Sequence, residues 1–134
     1  MTIPKILILE DSKTIVADFR NQFSGEPVEV VIAETAAEAR ELFERDGFDI
    51  IVLDGIVPSE PGHGASLQGP PLADEFRKKG FLGPIIGTSS NPEVQSLTKE
   101  WANRIVASKA YTCDKRKLAR LIRELLGLWP TTPA

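Results

Sequence analysis

The segment "FDIIVLDGIVP", residues 48–58, decides the fold assignment. Its apolar run predicts a strand over residues 49–53, and the run ends directly at Asp54. A run that is apolar at every position is typical of a strand buried on both faces of a parallel sheet. The segment therefore places a carboxylate at the carboxyl end of a buried strand, and the other strand ends show what could lie beside it.

Apolar runs and helical patterns alternate along the whole chain. The predicted strands cover residues 5–9, 28–33, 49–53, 84–88 and 104–108. Helices between and after them are predicted to begin at capping residues, which are Ser12, Thr35, Asn91 and Asp114. This alternation predicts an α/β fold, a doubly wound five-stranded parallel sheet with helices on both faces in a (βα)5 order.

Length and composition fit one domain. The 134 residues are 42% hydrophobic and 26% charged, which is enough apolar material for a core. We expect a single domain with a core of about residues 4–127 and a C-terminal tail at residues 128–134. The net charge of −3 and the absence of a basic run argue against nucleic acid as a partner.

The sequence also predicts a cytoplasmic protein that does not enter a membrane. Its first apolar run, residues 6–9, is too short for a signal peptide or a membrane span. Cys113 is the only cysteine, so it cannot form an internal disulfide, which suits a reducing compartment.

Polar residues follow four of the five predicted strands. Glu10 and Asp11 follow the first, Asp54 the third, Thr88 ends the fourth, and Lys109 follows the fifth. Because the carboxyl ends of parallel strands meet at one edge, where ligands bind, we expect these side chains to converge. Carboxylates that meet repel one another unless a cation intervenes, and oxygen ligands suit Mg²⁺. A hydroxyl and an ammonium suit phosphoryl oxygens, so the set predicts a phosphoryl-transfer site.

These residues resemble the receiver domain of bacterial two-component response regulators, the CheY-like family with a flavodoxin/CheY-like fold. The segments that carry the resemblance are "ILILED", "IIVLDGIVP", "PIIGTSS" and "VASK", and it spans residues 4–127. It implies that Asp54 accepts a phosphoryl group from a sensor histidine kinase or a histidine phosphotransfer protein. It also implies self-catalysed phosphotransfer and autodephosphorylation, without the ordinary turnover of an enzyme.

The resemblance further implies a ligand set for Mg²⁺. Asp11, Asp54 and the backbone carbonyl of Ile56 would bind the metal, with Glu10 acting through water. Thr88 and Lys109 would contact the phosphoryl oxygens. Phosphorylation would then change the binding of a downstream effector at the face formed by the fourth helix, the fifth strand and the fifth helix.

Two positions depart from the family pattern. Ala110 follows Lys109, where the family commonly has a proline after a cis peptide bond, so the Lys109–Ala110 bond could be trans in an altered loop or cis and strained. Val106 stands where the family has a switching aromatic residue. Tyr111 or Trp101 could take that role, although ordinary packing is the commoner use of such residues.

The loop after Asp54 is about four residues longer than the family's. Residues 55–71 contain four prolines and four glycines, so we expect no helix before about Pro71 and a short third helix. His63 lies in this loop, either as a solvated side chain or in a loop that folds over the site and tunes phosphoryl lifetime or partner access.

Two alternatives to a phospho-acceptor are open. The first is a non-phosphorylated pseudo-receiver that serves only as a protein-interaction module. The second is a small phosphatase of the haloacid dehalogenase type, which needs a D-x-D nucleophile motif on the first strand. The sequence instead has "DGI" after the third strand and no cap insertion, which makes the phosphatase the weaker alternative.

Overall fold

Five parallel strands form a central sheet in the order β2-β1-β3-β6-β7 in the computed structural model, which describes residues 3–107 and 109–127. The strands are β1 Lys5–Leu9, β2 Glu29–Ala33, β3 Ile50–Asp54, β6 Ile85–Thr88 and β7 Ala110–Thr112. A separate two-stranded hairpin consists of β4 Ile56–Pro58 and β5 Ala65–Leu67. The sheet confirms the predicted doubly wound α/β fold; the predicted tail lies outside the described residues.

Five helices cover the two faces of this sheet. They are α1 Lys13–Gln22, α2 Ala36–Arg45, α3 Gly69–Lys78, α4 Pro92–Ala102 and α5 Leu118–Leu125, and a single 3₁₀ turn, Lys115–Lys117, leads into α5. The predicted caps are present: for example, Thr35 Oγ1 accepts a hydrogen bond from Glu38 N at 3.1 Å. No helix among the described residues is both long and apolar enough to cross a membrane.

Each central strand of the sheet contributes side chains to two hydrophobic cores, one on each face, because neighbouring side chains along a strand point to opposite faces. In β1, Leu7 and Leu9 pack on the face that also holds Phe76, whereas Ile6 and Ile8 pack with Phe19 on the other. All five residues of β3 are buried. This two-sided burial explains the uninterrupted apolar run that precedes Asp54.

The long segment after Asp54 folds into the β4–β5 hairpin instead of an irregular loop. The helix that follows begins at Gly69, two residues earlier than expected, and at ten residues it is as long as α1 and α2. Pro70 lies in its first turn, where no backbone N–H is required, so proline does not delay the helix. The expectation of a short third helix was therefore wrong, whereas its start lies within two residues of the predicted position.

The fifth strand lies further along the chain than predicted. It comprises Ala110–Thr112, and residues 103–107 connect α4 to it instead of forming a strand. Ile105, which lies within the predicted strand, is 52% exposed. Ala110 is the buried residue that pairs with Ile85 of β6. This shift moves Lys109 from the carboxyl end of the strand to its amino end.

A buried arginine joins two connections at the amino edge of the sheet, the one from α3 to β6 and the one from α4 to β7. Arg77 is 2% exposed, and its guanidinium donates to four backbone carbonyls, those of Ala102, Phe81, Gly83 and Lys109, at 2.6–2.9 Å. The segment that enters β7 is thereby attached to α3 and to the end of α4. Burial lowers the pKa of Arg77, but its fork of donors is satisfied by these carbonyls.

We expect Arg77→Met to lower the free energy of unfolding by about 3–5 kcal/mol, because four backbone carbonyls lose the donor that a buried guanidinium supplies and methionine cannot replace it. Urea unfolding followed by circular dichroism measures this loss. Arg45→Met is the control, since that side chain is 63% exposed and should tolerate the change. Equal stability of the two variants would contradict the role of Arg77.

The single cysteine is shielded by the core beside β7. Burial, with a smaller contribution from the Asp114 carboxylate, raises the pKa of the Cys113 thiol from 9.0 to about 11. The folded protein should therefore react with iodoacetamide at pH 8 about 100-fold more slowly than a thiol of pKa 9, because only the thiolate is nucleophilic. The rate should keep rising tenfold per pH unit up to about pH 10. A plateau near pH 9 would show that Cys113 is not shielded.

Candidate functional site

The carboxyl ends of β1, β3 and β6 bring the predicted acidic and hydroxyl residues together. Leu9 pairs with Leu53, so Glu10 and Asp54 follow in register, and Asp54 pairs directly with Thr88. Glu10, Asp54 and Thr88 are all at least 95% buried. The buried strands thus fix three polar side chains at one edge, as their positions in the sequence predict.

Three carboxylates form the centre of this edge. One carboxylate oxygen from each of Glu10, Asp11 and Asp54 lies within 4.8 Å of the others, and Asp11 is the exposed member. Backbone amides orient the two buried groups: Ser12 N donates to Glu10 Oε2 at 3.1 Å, and Ile56 N donates to Asp54 Oδ1 at 3.2 Å. The cluster therefore faces solvent through Asp11.

The lysine that contacts these carboxylates is Lys115, and not the predicted Lys109. Its Nζ lies 2.7 Å from Glu10 Oε1 and 3.0 Å from Asp54 Oδ2. It is the first residue of the 3₁₀ turn after β7, three residues beyond the end of that strand. The sequence does contain a pattern that points to Lys115: Asp114 and Lys115 follow the short run "AYTC" much as Glu10 and Asp11 follow the first strand.

Lys109 does not reach the site. It precedes β7, its side chain is exposed, and its carbonyl accepts from Ile85 N at 3.0 Å and from Arg77 Nη2 at 2.8 Å. These partners lie at the amino edge of the sheet, opposite the carboxylates. The prediction for Lys109 was wrong because it rested on the misplaced strand, and the question of a cis bond at Lys109–Ala110 no longer concerns the site.

The charges in the site do not balance. One ammonium lies among three carboxylates, so the cluster retains net negative charge. Burial raises the pKa of the Glu10 carboxyl even though Lys115 contacts it. Burial alone would lower the pKa of Lys115, but its hydrogen bonds to Glu10 and Asp54 outweigh that effect and raise it. Both shifts favour the protonated form, mainly through burial for Glu10 and through the carboxylate partners for Lys115.

This donor set fits a divalent cation with a preference for oxygen. Hard carboxylate oxygens within 4.8 Å of one another are the ligands that Mg²⁺ takes, commonly with several waters, and exposed Asp11 leaves room for those waters. The excess negative charge gives a second reason for a cation to bind there. Glu10, Asp11 and Asp54 are therefore the residues that could hold the metal.

Hydrogen bonds and contacts with α4 fix the backbone that follows Asp54 and Thr88. Gly55 N donates to Thr88 O at 3.0 Å, and a Cβ at Gly55 would overlap the side chain of Val94 on α4. Gln95, also on α4, donates from Nε2 to Ser89 O at 2.8 Å. Helix α4 is thus in contact with both strand ends of the site.

The hairpin begins at the site but its turn lies elsewhere. Gln68 N donates to Gly55 O at the base of the hairpin, whereas Ser59 O accepts from Ala37 N at the start of α2. His63 contacts its own turn, with Nδ1 3.3 Å from Ser59 Oγ and Nε2 3.6 Å from Glu60. Within residues 3–107 and 109–127, these contacts give His63 no link to Asp54.

No protein-family model and no curated protein sequence matches this chain. Solved structures do. The signal receiver domain of an HD domain-containing protein from Pseudomonas fluorescens Pf-5 superposes with a TM-score of 0.73 at 18% identity, covering 95% of this chain and 89% of that one. A CheY-like receiver domain protein from Methanospirillum hungatei JF-1 gives 0.72 at 23% identity, covering 94% and 95%.

The chain has the fold of response regulator receiver domains. A third neighbour is the response regulator protein TrrA from Thermotoga maritima in complex with Mg²⁺-BeF, with a TM-score of 0.70 at 23% identity and coverage of 91% and 98%. TM-scores of 0.70–0.73 over nearly the whole chain establish the fold, while the identities are only 18–23%. They leave the chemistry of its site to be argued from its own residues.

We expect Lys115→Met to lower the free energy of unfolding by roughly 2–3 kcal/mol in EDTA, because Glu10 and Asp54 are left facing each other without a cation. Adding Mg²⁺ should recover part of this loss. Lys109→Met is the matched control and should behave like the unaltered protein under both conditions. Equal effects of the two lysine substitutions in EDTA would show that Lys115 does not bridge the carboxylates.

Proposed function

We propose that this chain is a receiver that accepts a phosphoryl group on Asp54 from the phosphohistidine of a sensor histidine kinase or a histidine phosphotransfer protein. The observation that carries the proposal is the placement of a buried aspartate at the edge of a receiver fold, between two acidic neighbours and the ammonium of Lys115. Each of these groups has a role in phosphoryl transfer, whereas packing of the core alone does not require any of them.

Asp54 supplies the nucleophile. A carboxylate oxygen attacks phosphorus, the bond from phosphorus to the donor's imidazole nitrogen breaks, and the imidazole leaves with the electron pair and takes up a proton. The product is an acyl phosphate, which water later hydrolyses to restore the carboxylate. The protein would then limit the lifetime of its own signal.

Lys115 and Thr88 face the transferred group. The ammonium that now contacts Asp54 Oδ2 can contact a phosphoryl oxygen carried on the same side chain, and the Thr88 hydroxyl is on the neighbouring strand end. A cation and a donor placed where charge develops stabilise the transition state. We therefore assign to Lys115 the phosphoryl contact that the sequence analysis gave to Lys109.

Glu10, Asp11 and Asp54, with the backbone carbonyl of Ile56, are the proposed ligands for Mg²⁺, and Glu10 would act through water. A bound Mg²⁺ would neutralise charge on the phosphoryl oxygens during transfer. Without it, three carboxylates would repel an anionic donor. We propose on these grounds that phosphorylation depends on the metal.

The output would be an effector protein bound at the face of α4, β7 and α5. Helix α4 contacts both strand ends through Val94 and Gln95, so a shift at Asp54 or Thr88 would reach this face. Tyr111 is the half-buried aromatic residue of β7, whereas Val106 precedes the strand. Tyr111 is therefore our candidate for the aromatic that couples the site to the face.

Incubation with acetyl phosphate and Mg²⁺ should add one phosphoryl group to the protein, measured by intact mass spectrometry. Asp54→Asn should show no addition. Lys115→Met should slow the addition roughly 10–100-fold, because it removes a charged contact made in the transition state. Lys109→Met, the control, should keep the unaltered rate.

Absence of phosphorylation on the unaltered protein, or its persistence in Asp54→Asn, would overturn the proposal. The first result, if Mg²⁺ binding were also absent, would favour the pseudo-receiver that acts as an interaction module. EDTA should abolish the reaction. Phosphorylation at an undiminished rate in EDTA would contradict the assigned metal dependence.

A further inference from the structure

Lys115 reaches the site from a turn and not from a strand. The last strand residue paired with β6 is Thr112, and Cys113 N still donates to Gly87 O at 3.3 Å. Lys115 then opens the 3₁₀ turn, and its side chain spans back to β1 and β3, where it is 23% exposed. A residue outside the sheet lacks the ladder of hydrogen bonds that fixes Glu10 and Asp54, so another contact must fix its backbone.

Asp114 supplies that contact. Its backbone is extended, and its Oδ1 accepts hydrogen bonds from Arg116 N at 2.9 Å and from Lys117 N at 3.2 Å. Both amides belong to the turn that Lys115 begins. One carboxylate oxygen therefore holds the backbone immediately after Lys115, in the manner of an N-cap.

The surrounding chain limits how far the turn can move as a whole. Cys113 is attached to β6 on one side, and Leu118, the first residue of α5, is fully buried on the other. Four residues, 114–117, span these two anchors. Without the Asp114 cap, the amides of Arg116 and Lys117 would lose their side-chain acceptor, and the turn between the anchors could adopt other conformations.

We propose that Asp114 is a positioning residue for phosphoryl transfer, because its cap on the 3₁₀ turn aims the Lys115 ammonium at Asp54. The inference rests on the proposed function of Asp54, but it concerns a residue that touches neither the phosphoryl group nor the metal. Positioning acts on rate, since a charged group displaced by about 1 Å can lose much of its effect on a transition state.

The first test uses substitutions of Asp114 that separate the capping side-chain oxygen from the negative charge. Asp114→Ala removes both, whereas Asp114→Asn and Asp114→Ser keep a side-chain oxygen that can accept from the turn. With acetyl phosphate and saturating Mg²⁺, Asp114→Ala should slow phosphorylation of Asp54 about 10-fold, and the Asn and Ser variants should retain most of the rate. A slow Asn variant would show that charge, and not the cap, matters, and would overturn the inference.

Loss of a cap could also slow the reaction by general destabilisation, so a matched control is needed. Thr35→Ala removes an N-cap oxygen of the same kind from α2, an element that carries none of the site's charged residues. It should lower the urea midpoint and leave the phosphorylation rate unchanged. An equal loss of rate in Thr35→Ala and Asp114→Ala would reduce Asp114 to a structural role.

A double-mutant cycle gives the sharpest test. If Asp114 acts through Lys115, Asp114→Ala should cost almost nothing in rate once Lys115 is already methionine, whereas independent effects would multiply. Multiplying effects would contradict the inference.

The same cycle measured by urea midpoint in EDTA does not depend on phosphorylation. The midpoint shift caused by Lys115→Met should shrink in the Asp114→Ala background, because the ammonium is already displaced there. Failure of the unaltered protein to accept a phosphoryl group would therefore overturn the proposed function alone, while an undiminished shift would overturn the positioning role of Asp114.

Discussion

The ammonium of Lys115 lies between two buried carboxylates, and the arrangement of the site depends on that contact. Glu10 and Asp54 are placed side by side by adjacent parallel strands, where their charges would repel each other. Lys115 offsets part of this repulsion at 2.7 and 3.0 Å but leaves the cluster with excess negative charge. The same excess of negative charge favours the binding of a divalent cation, and the proposed role of Asp54 as a nucleophile would need one.

The surrounding fold keeps these mutually repelling carboxylates close together. The carboxylates follow strands that are buried on both faces, so the sheet determines their separation. At the opposite edge, Arg77 binds the carbonyls of Ala102 and Lys109 and so fixes the connection that enters β7. The register of β7 in turn determines where the turn bearing Lys115 begins. A buried arginine at the opposite edge of the sheet is in this way linked to the position of the lysine that contacts Asp54.

Sequence patterns were sufficient for four strands of the sheet and for the acidic half of the site. Uninterrupted apolar runs mark strands buried on both faces, and the acids that follow such runs must lie at one edge, which is why Glu10, Asp11, Asp54 and Thr88 were found. The prediction of the lysine failed because it depended on the position of the fifth strand. This strand, β7, is an edge strand of three residues, too short for a clear pattern, while "RIVAS" nearby is more apolar. The hairpin was missed because residues 55–71 are rich in proline and glycine, which suggested a loop, and the pairing of β4 with β5 depends on contacts that composition does not report.

A crystal structure of the protein with Mg²⁺ and beryllofluoride would show where Lys115 lies relative to a phosphoryl-like group on Asp54. We expect beryllofluoride on an Asp54 carboxylate oxygen, the metal beside Glu10 and Asp11, and Lys115 Nζ within hydrogen-bond distance of a fluorine. This expectation would be contradicted by a fluorine contact from Lys109, with Lys115 turned to solvent, or by beryllofluoride and metal that leave Asp54 unoccupied.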